Sequence, residues 1–343
     1  MKKLLNTLYV TQHDVYLALD GDNVIARCDD ETLMRLPLHN LEGIVTFGYI
    51  GASPALMGAC AEKGIAFTFL TMNGRFLANV VGLEKGNVLL RKRQYRLSDS
   101  EEGSFAIARN ILIGKFHNSR WVLERALRDH SLRIDAEQVR HSAHQIAKAT
   151  DLLREVQTLS HLRGIEGESA ARYFAVYDEL ILQNKEAFTF DGRNRRPPLD
   201  RVNALLSFTY ALLMHDISAA LCAVGLDPFV GFLHRDRPGR HSLALDLMEE
   251  FRAPLADRFV LTLINNRQVE PGDFVQKENG AVIMKDEARR TVLTAWQERK
   301  QDQITHPFLK EKIPWGLVPH AQALLLTRHL RDDLNEYPPF LWK

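Results

Sequence analysis

The segment GFLHRDRPGRHSLALDLMEEFRAPLADR, residues 231 to 258, gathers one histidine and several carboxylates into a loop-then-helix pattern. His234 closes a short apolar run, an arginine-rich loop follows, and the residues beyond it repeat with helical period. At about 100° per residue, Leu243, Ala244, Leu247, Met248 and Phe251 fall on one broad face, while Asp246, Glu249 and Glu250 cluster opposite. Like charges at this spacing repel by roughly a few tenths of a kcal/mol per pair, a cost that a bound cation removes. The same carboxylates equally suit the solvated face of an amphipathic helix, with Arg252 placed to pair with Glu249, and a lone His234 equally suits a hydrogen-bonded loop. A further acid stands in EGESAARYF, residues 166 to 174, where Gly167 after Glu166 is tolerable near a helix start or a close backbone approach. Ala170, Tyr173 and Phe174 would form the packed face holding Glu166, whose alternative role is a first-turn glutamate serving the helix dipole.

Basic residues cluster in three places: Arg91, Lys92, Arg93 and Arg96; Arg193, Arg195, Arg196 and Arg201; and Arg235, Arg237 and Arg240. Guanidinium forks match phosphate oxygens, and such contacts position nucleic acid without reading its sequence. The alternative is solvated loops balanced by Asp191, Asp200 and Asp236. The third cluster adjoins His234 and is the strongest of the three. The chain lacks GxxxxGK[ST], GxGxxG and HExxH, so nucleotide hydrolysis, nicotinamide chemistry and zinc peptidase activity have no motif support.

The elements that must position these residues fall into an α+β pattern: a β-rich domain over 1–88 and a larger all-helical domain over 89–343. In the first, Val15, Leu17 and Leu19 alternate, Gly21, Asp22 and Asn23 turn, and Val24 and Ile25 resume, which predicts a hairpin. Strands are expected at 43 to 48, 65 to 71 and 75 to 82, with Asn73 and Gly74 turning between the last two. A short helix is capped by Ser53 and Pro54 and ended by Gly64. Helices are expected at 101 to 129, 134 to 159, 166 to 185, 199 to 222, 242 to 252, 284 to 303 and 318 to 333. A small hairpin around Asn279 and Gly280 interrupts them, and the segment from Tyr337 to Lys343 is apolar enough to dock on the body.

At 343 residues, two domains are a better expectation than one. Lys plus Arg (44) nearly equals Asp plus Glu (43), so nucleic-acid binding would have to come from local clusters. Cys28, Cys60 and Cys222 lie far apart with no CxxC pair, so neither a disulfide framework nor a thiolate zinc site is indicated, and a reducing, cytoplasmic compartment fits. The start, Met1 to Leu5, imitates a signal peptide that Asn6, Thr7, Gln12, His13 and Asp14 interrupt. No uncharged apolar stretch reads as a membrane span.

The order EGESAARYF, then RPPLDRVNALLSFTY ending at Tyr210, then GFLH and SLALDLMEEFR, resembles the CRISPR-associated spacer-acquisition integrase family. So do GYIGASPALMGACAEKGI and GNVLLRKRQY, and the resemblance spans essentially the whole chain. It implies a β-rich, dimerising N-terminal domain, a helical catalytic domain and a homodimer that assembles with a small second acquisition protein. It also implies a catalytic Mg²⁺ or Mn²⁺ at positions matching Glu166, His234 and Glu249, with Asp246 an auxiliary acid. Some members carry aspartate at the third ligand, so whether Glu249 or Asp246 bonds the metal stays open. Carboxylates and one imidazole without cysteine suit such hard cations. The implied reaction joins 3′-hydroxyl ends of short double-stranded DNA to repeat DNA by transesterification. No covalent enzyme intermediate is needed, so Tyr210 and Ser207 need not be nucleophiles. Arg91, Arg193, Arg196, Tyr210, Arg235, Arg237 and Arg240 are the expected DNA contacts. A non-catalytic DNA-binding scaffold and a general metal-dependent nuclease are the competing functions.

Overall fold

A computed structural model describes residues 6–12, 14–29, 31–72, 76–80, 82 and 88–343. By its internal contacts the chain forms two units: residues 1–86 with 286–301, and residues 87–285 with 302–343. The helix 286–301 thus belongs with the first unit, whereas the sequence reading places it in an unbroken second domain. Its Gln297 donates from Nε2 to the carbonyl of Thr7 at 2.9 Å, and its Trp296 is fully buried.

The first unit holds β1 (Asn6–Val10), β2 (Tyr16–Asp20), β3 (Asn23–Cys28), β4 (Glu31–Pro37), β5 (Leu41–Phe47), β6 (Gly51–Ala52), α1 (Pro54–Lys63), β7 (Ala66–Leu70) and β8 (Phe76–Val80). They make two four-stranded sheets, ordered β1-β5-β7-β8 and β4-β3-β2-β6. The expected hairpin is β2–β3, antiparallel with Asp20 opposite Asn23 and Gly21 at φ +57°. Ser53 Oγ accepts from Leu56 N at 3.2 Å, and Gly64 ends α1 in the left-handed region. β1, β4 and β6 have no counterpart in the sequence reading, and the Asn73-Gly74 turn lies outside the described residues.

The second unit is mainly helical: α2 (Val88–Ser98), α3 (Glu101–His130), α4 (Ala136–Leu152), α5 (Leu159–Ala175), α6 (Arg201–Ala223), α7 (Ser242–Met248) and α8 (Arg258–Asn265). After β9 (Phe274–Gln276) and β10 (Val282–Met284), the chain forms α9 (Asp286–Gln301) of the first unit. It returns through β11 (Gln303–Thr305), β12 (Lys312–Pro314) and α10 (Val318–Leu330). The unit is therefore not all-helical: β9–β10 is the expected hairpin and β11–β12 a further one. α2 was not anticipated.

Two departures bear on function. α5 begins at Leu159, where Thr158 Oγ1 accepts from His161 N, so Glu166 sits mid-helix and not in a first turn serving the dipole. The expected helix 242 to 252 stops at Met248, and residues 252–257 form a wide π turn. α6 is, by length and composition, apolar enough to cross a membrane, although Asp216 interrupts its apolar run. Here Val202, Leu205, Leu206, Leu212, Leu213 and Leu221 are buried within the unit, as expected of a core helix.

α6 is launched by a buried polar cap. Asp200 accepts from Asn203 N at 2.7 Å and from Asn203 Nδ2 at 2.6 Å, and Asn194 Nδ2 ties the preceding loop to the same carboxylate at 3.1 Å. Asp200→Ala is expected to lower stability by about 1–2 kcal/mol in urea unfolding, the cost of a lost N-cap.

Candidate active site

The loop carrying His234 is organised by one carboxylate. Asp246 on α7 is fully buried, and its oxygens accept from the backbone N–H groups of Phe232 (2.6 Å), Leu233 (2.9 Å) and His234 (2.8 Å) and from His234 Nδ1 (2.7 Å). A carboxylate oxygen accepts from Nδ1, so in the neutral imidazole Nε2 is the nitrogen that keeps its lone pair. That Nε2 lies 3.9 Å from Glu249 Oε1. Gly231 permits the approach, because a Cβ there would stand 2.8 Å from Asp246 Oδ2 and 2.9 Å from Ser242. Arg163 Nε donates to Leu233 O at 2.7 Å and ties the loop to α5, three residues before Glu166. With both oxygens engaged by these four donors, Asp246 orients His234.

The second half of the site centres on Lys115 of α3, which is only 8% exposed. It ion-pairs with Glu166 and with Glu249, the latter at 2.7 Å, and Arg252 adds a 3.1 Å contact to Glu249. Burial alone would lower the Lys115 pKa, but Glu249 and Glu166 outweigh it and hold the ammonium charged. Burial likewise opposes ionisation of Glu249, yet Arg252 and Lys115 bring its pKa down to about 2. Beside these groups lies a cavity of about 60 Å³, lined among others by Glu166, Ser169, Tyr173, Tyr210, Glu249, Arg252 and Asp257. Ser169 Oγ and Arg252 Nε on its wall have no hydrogen-bond partner among the described residues.

The three carboxylates expected on one helical face do not share one. Asp246 turns to the His234 loop, Glu249 to Lys115, and Glu250 away from both, accepting from Tyr337 OH at 2.9 Å and Gln322 Nε2 at 3.1 Å. All three are buried, so none belongs to a solvated polar face. A fixed 100° step fails because the helix breaks between Asp246 and the π turn. Glu249 N, Glu250 N and Phe251 N bond to carbonyls three residues back, and Ala256 N to one five back.

Glu166 and Glu249 thus meet at Lys115, and His234 Nε2 adjoins Glu249. Among the described residues no three His, Cys, Asp or Glu side chains form a ready ligand cluster. What occupies the space between the two glutamates is the Lys115 ammonium. The donors fit a hard divalent cation: two carboxylates already sharing one positive charge, and an imidazole Nε2 whose other nitrogen is fixed by a carboxylate.

Of the expected DNA contacts, Arg235, Arg237 and Arg196 are exposed. Burial and the nearby Arg237 lower the Arg240 pKa against Asp246, with Arg195 and Arg196 adding to the lowering, so these two residues of the second cluster lie near Arg240 of the third. Arg193 departs from expectation. It donates to Asn203 Oδ1 (2.6 Å) and Ser207 Oγ (3.1 Å) and lies over the Tyr210 ring. Tyr210 is held between Arg193 and Arg252, each 5.2 Å from its ring centre, and donates to Asp257 at 2.6 Å. Tyr210 thus forms part of the cavity wall, with Arg193 stacked on it, and both are part-buried. Arg91 is part-buried on α2. Lys115, Arg163 and Asp257 escaped sequence reasoning. The one signal for Lys115 is a charge inside the apolar run ILIGKF, residues 111 to 116.

Comparison with known proteins supplies an independent view. The family model described as CRISPR associated protein Cas1 matches residues 8–298. The chain is 52% identical over 343 residues to the CRISPR-associated endonuclease Cas1 1 of Chlorobaculum tepidum, with both chains covered completely. It is also 52% identical over 347 residues to the CRISPR-associated endonuclease Cas1 2 of Rhodospirillum rubrum, again over 100% of each. A chain of a casposase bound to integration product has the same fold, with TM-score 0.84 and 23% identity over 99% of this chain and 95% of that one. A chain of a Cas6-RT-Cas1–Cas2 complex matches at TM-score 0.83 and 25% identity, over 100% of this chain and 36% of that one.

Asp246→Ala leaves three backbone donors and an imidazole without their acceptor, and is expected to cost about 3 kcal/mol or more in urea unfolding. Burial raises the Glu250 pKa from 4.5 to about 8, against the hydrogen bonds of Tyr337 and Gln322. The folded protein then holds this proton more tightly than the unfolded chain, so the group's contribution to stability falls as pH rises from 4.5 to 8 and levels off above. In unfolding measured across that window with chelator present, Glu250→Gln is expected to flatten the decline.

Proposed function

The chain belongs to the CRISPR associated protein Cas1 family, and on that premise we propose that it is a metal-dependent DNA endonuclease and integrase that joins short foreign DNA to repeat DNA. The observation that carries this reading is that Glu166 and Glu249 meet on one buried ammonium while His234 Nε2 lies 3.9 Å from Glu249 Oε1. These three residues would hold Mg²⁺ or Mn²⁺, which when bound supplies Lewis-acid stabilisation of charge developing on a phosphate. Asp246 accepts the imidazole Nδ1 proton, Arg252 and Lys115 keep Glu249 ionised, and Lys115 also pairs with Glu166. Arg196, Arg235, Arg237 and Arg240 would hold the backbone phosphates of the target duplex.

Joining is a transesterification. The 3′-oxygen of the incoming strand forms a bond to a repeat phosphorus, the existing P–O bond breaks, and the proton of the attacking hydroxyl ends on the departing 3′-oxygen. No protein nucleophile takes part, in keeping with the engagement of the Tyr210 hydroxyl by Asp257. The relatives named endonucleases support phosphodiester chemistry, and the chain found in a Cas1–Cas2 complex supports a small Cas2-type partner. The working form in this reading is a cytoplasmic homodimer, paired through the N-terminal unit, with the small partner bridging two dimers.

The test is joining of a short duplex with free 3′-hydroxyls into repeat-containing DNA, with Mg²⁺, Mn²⁺ or chelator and with the small partner supplied. Joining is expected with either metal, to vanish with chelator, and to fall by about 10²–10³-fold or more in Glu166→Ala, His234→Ala and Glu249→Ala proteins that still bind DNA. Metal-dependent cleavage with no joined product would favour the general nuclease. DNA binding with neither reaction would leave a scaffold.

A further inference from the structure

The segment 337–342 grips the backbone that carries Glu249 from the side opposite the site. Glu249 and Arg252 face Lys115 and the cavity, while the two residues between them, Glu250 and Phe251, face the segment. Tyr337 OH accepts from Gln322 Nε2 at 2.6 Å and donates to Glu250 at 2.9 Å, and the Phe340 ring lies 5.3 Å from that of Phe251. Asn118, one turn beyond Lys115 on α3 and fully buried, donates to Glu250 O (2.7 Å) and Phe340 O (2.8 Å) and accepts from Trp342 N (2.8 Å). Tyr337, Phe340 and Trp342 thus hold Glu250 and Phe251, next to Glu249, and Asn118, one turn from Lys115.

This stretch needs a brace. Residues 249–251 lie between the end of α7 and the π turn, where the regular i to i−4 ladder is interrupted, so helical hydrogen bonding alone does not fix where Glu249 points. We propose that segment 337–342 is a positioning strut for the cation site, with Tyr337 and Phe340 as positioning residues that act through Glu250 and Phe251 to aim Glu249. The inference rests on the reading of Glu249 as a metal ligand.

The test is direct Mn²⁺ binding to the DNA-free protein, followed by electron paramagnetic resonance, alongside strand joining as a function of Mn²⁺. Tyr337→Phe, which deletes only the hydroxyl, is expected to weaken Mn²⁺ binding by about 10–100-fold, the usual effect of losing a group that orients a ligand. Its joining should be restored by raised Mn²⁺ while its affinity for DNA is unchanged. Phe340→Leu, which loosens the packing on Phe251 and keeps the polar network, should move Mn²⁺ affinity in the same direction. Wild-type Mn²⁺ affinity in both folded variants would overturn the strut. Unchanged Mn²⁺ affinity in Glu249→Ala would instead overturn the ligand assignment on which it stands.

Discussion

A lysine ammonium taken out of water between helices must have its charge met inside the protein, because an unpaired buried ion costs several kcal/mol. Lys115 meets that condition with Glu166 from α5 and Glu249 from the stretch after α7, and Glu249 in turn is kept ionised by Arg252 and Lys115. Three segments distant in sequence are thereby fixed around one point. Arg163 draws the His234 loop to α5, so the imidazole arrives at that point as well.

Around this centre the acidic residues divide their work by partner and not by helical face. Asp246 spends its lone pairs on backbone and imidazole, Glu249 meets cations, Glu250 meets neutral donors, and Asp257, raised by burial to a pKa of about 6, accepts from Tyr210. A cluster of carboxylates on one face would repel. Here each has its own compensating environment, and the electrostatic cost is met group by group.

The α+β character, the β2–β3 hairpin and α1 were legible because they rest on local signals: alternation, a left-handed glycine and a serine cap. Glu166, His234, Asp246 and Glu249 were legible as residue types worth attention, and the structure brings their segments together. Their individual roles were not legible. Assigning them needs to know that Lys115 lies between the glutamates, a contact across 51 residues to Glu166, and that the helix after His241 ends at Met248. Periodicity assumes a regular helix and fails where one stops. The stacking of Arg193 on Tyr210 was not legible either, since a sequence does not show that a loop arginine folds back onto a helix tyrosine.

The π turn at 252–257 marks a place where the chain houses residues that a regular α-helix has no room for. In a continuous helix, removing one residue rotates everything beyond it by about 100°. Between Asp246, which fixes one end, and Asp257, which faces the cavity at the other, the number of residues is therefore held more strictly than their identity. Substitutions in this stretch trade one packing for another and have graded effects. A single deletion would break the alignment of Glu249 with Lys115 even if every side chain that touches the site were retained.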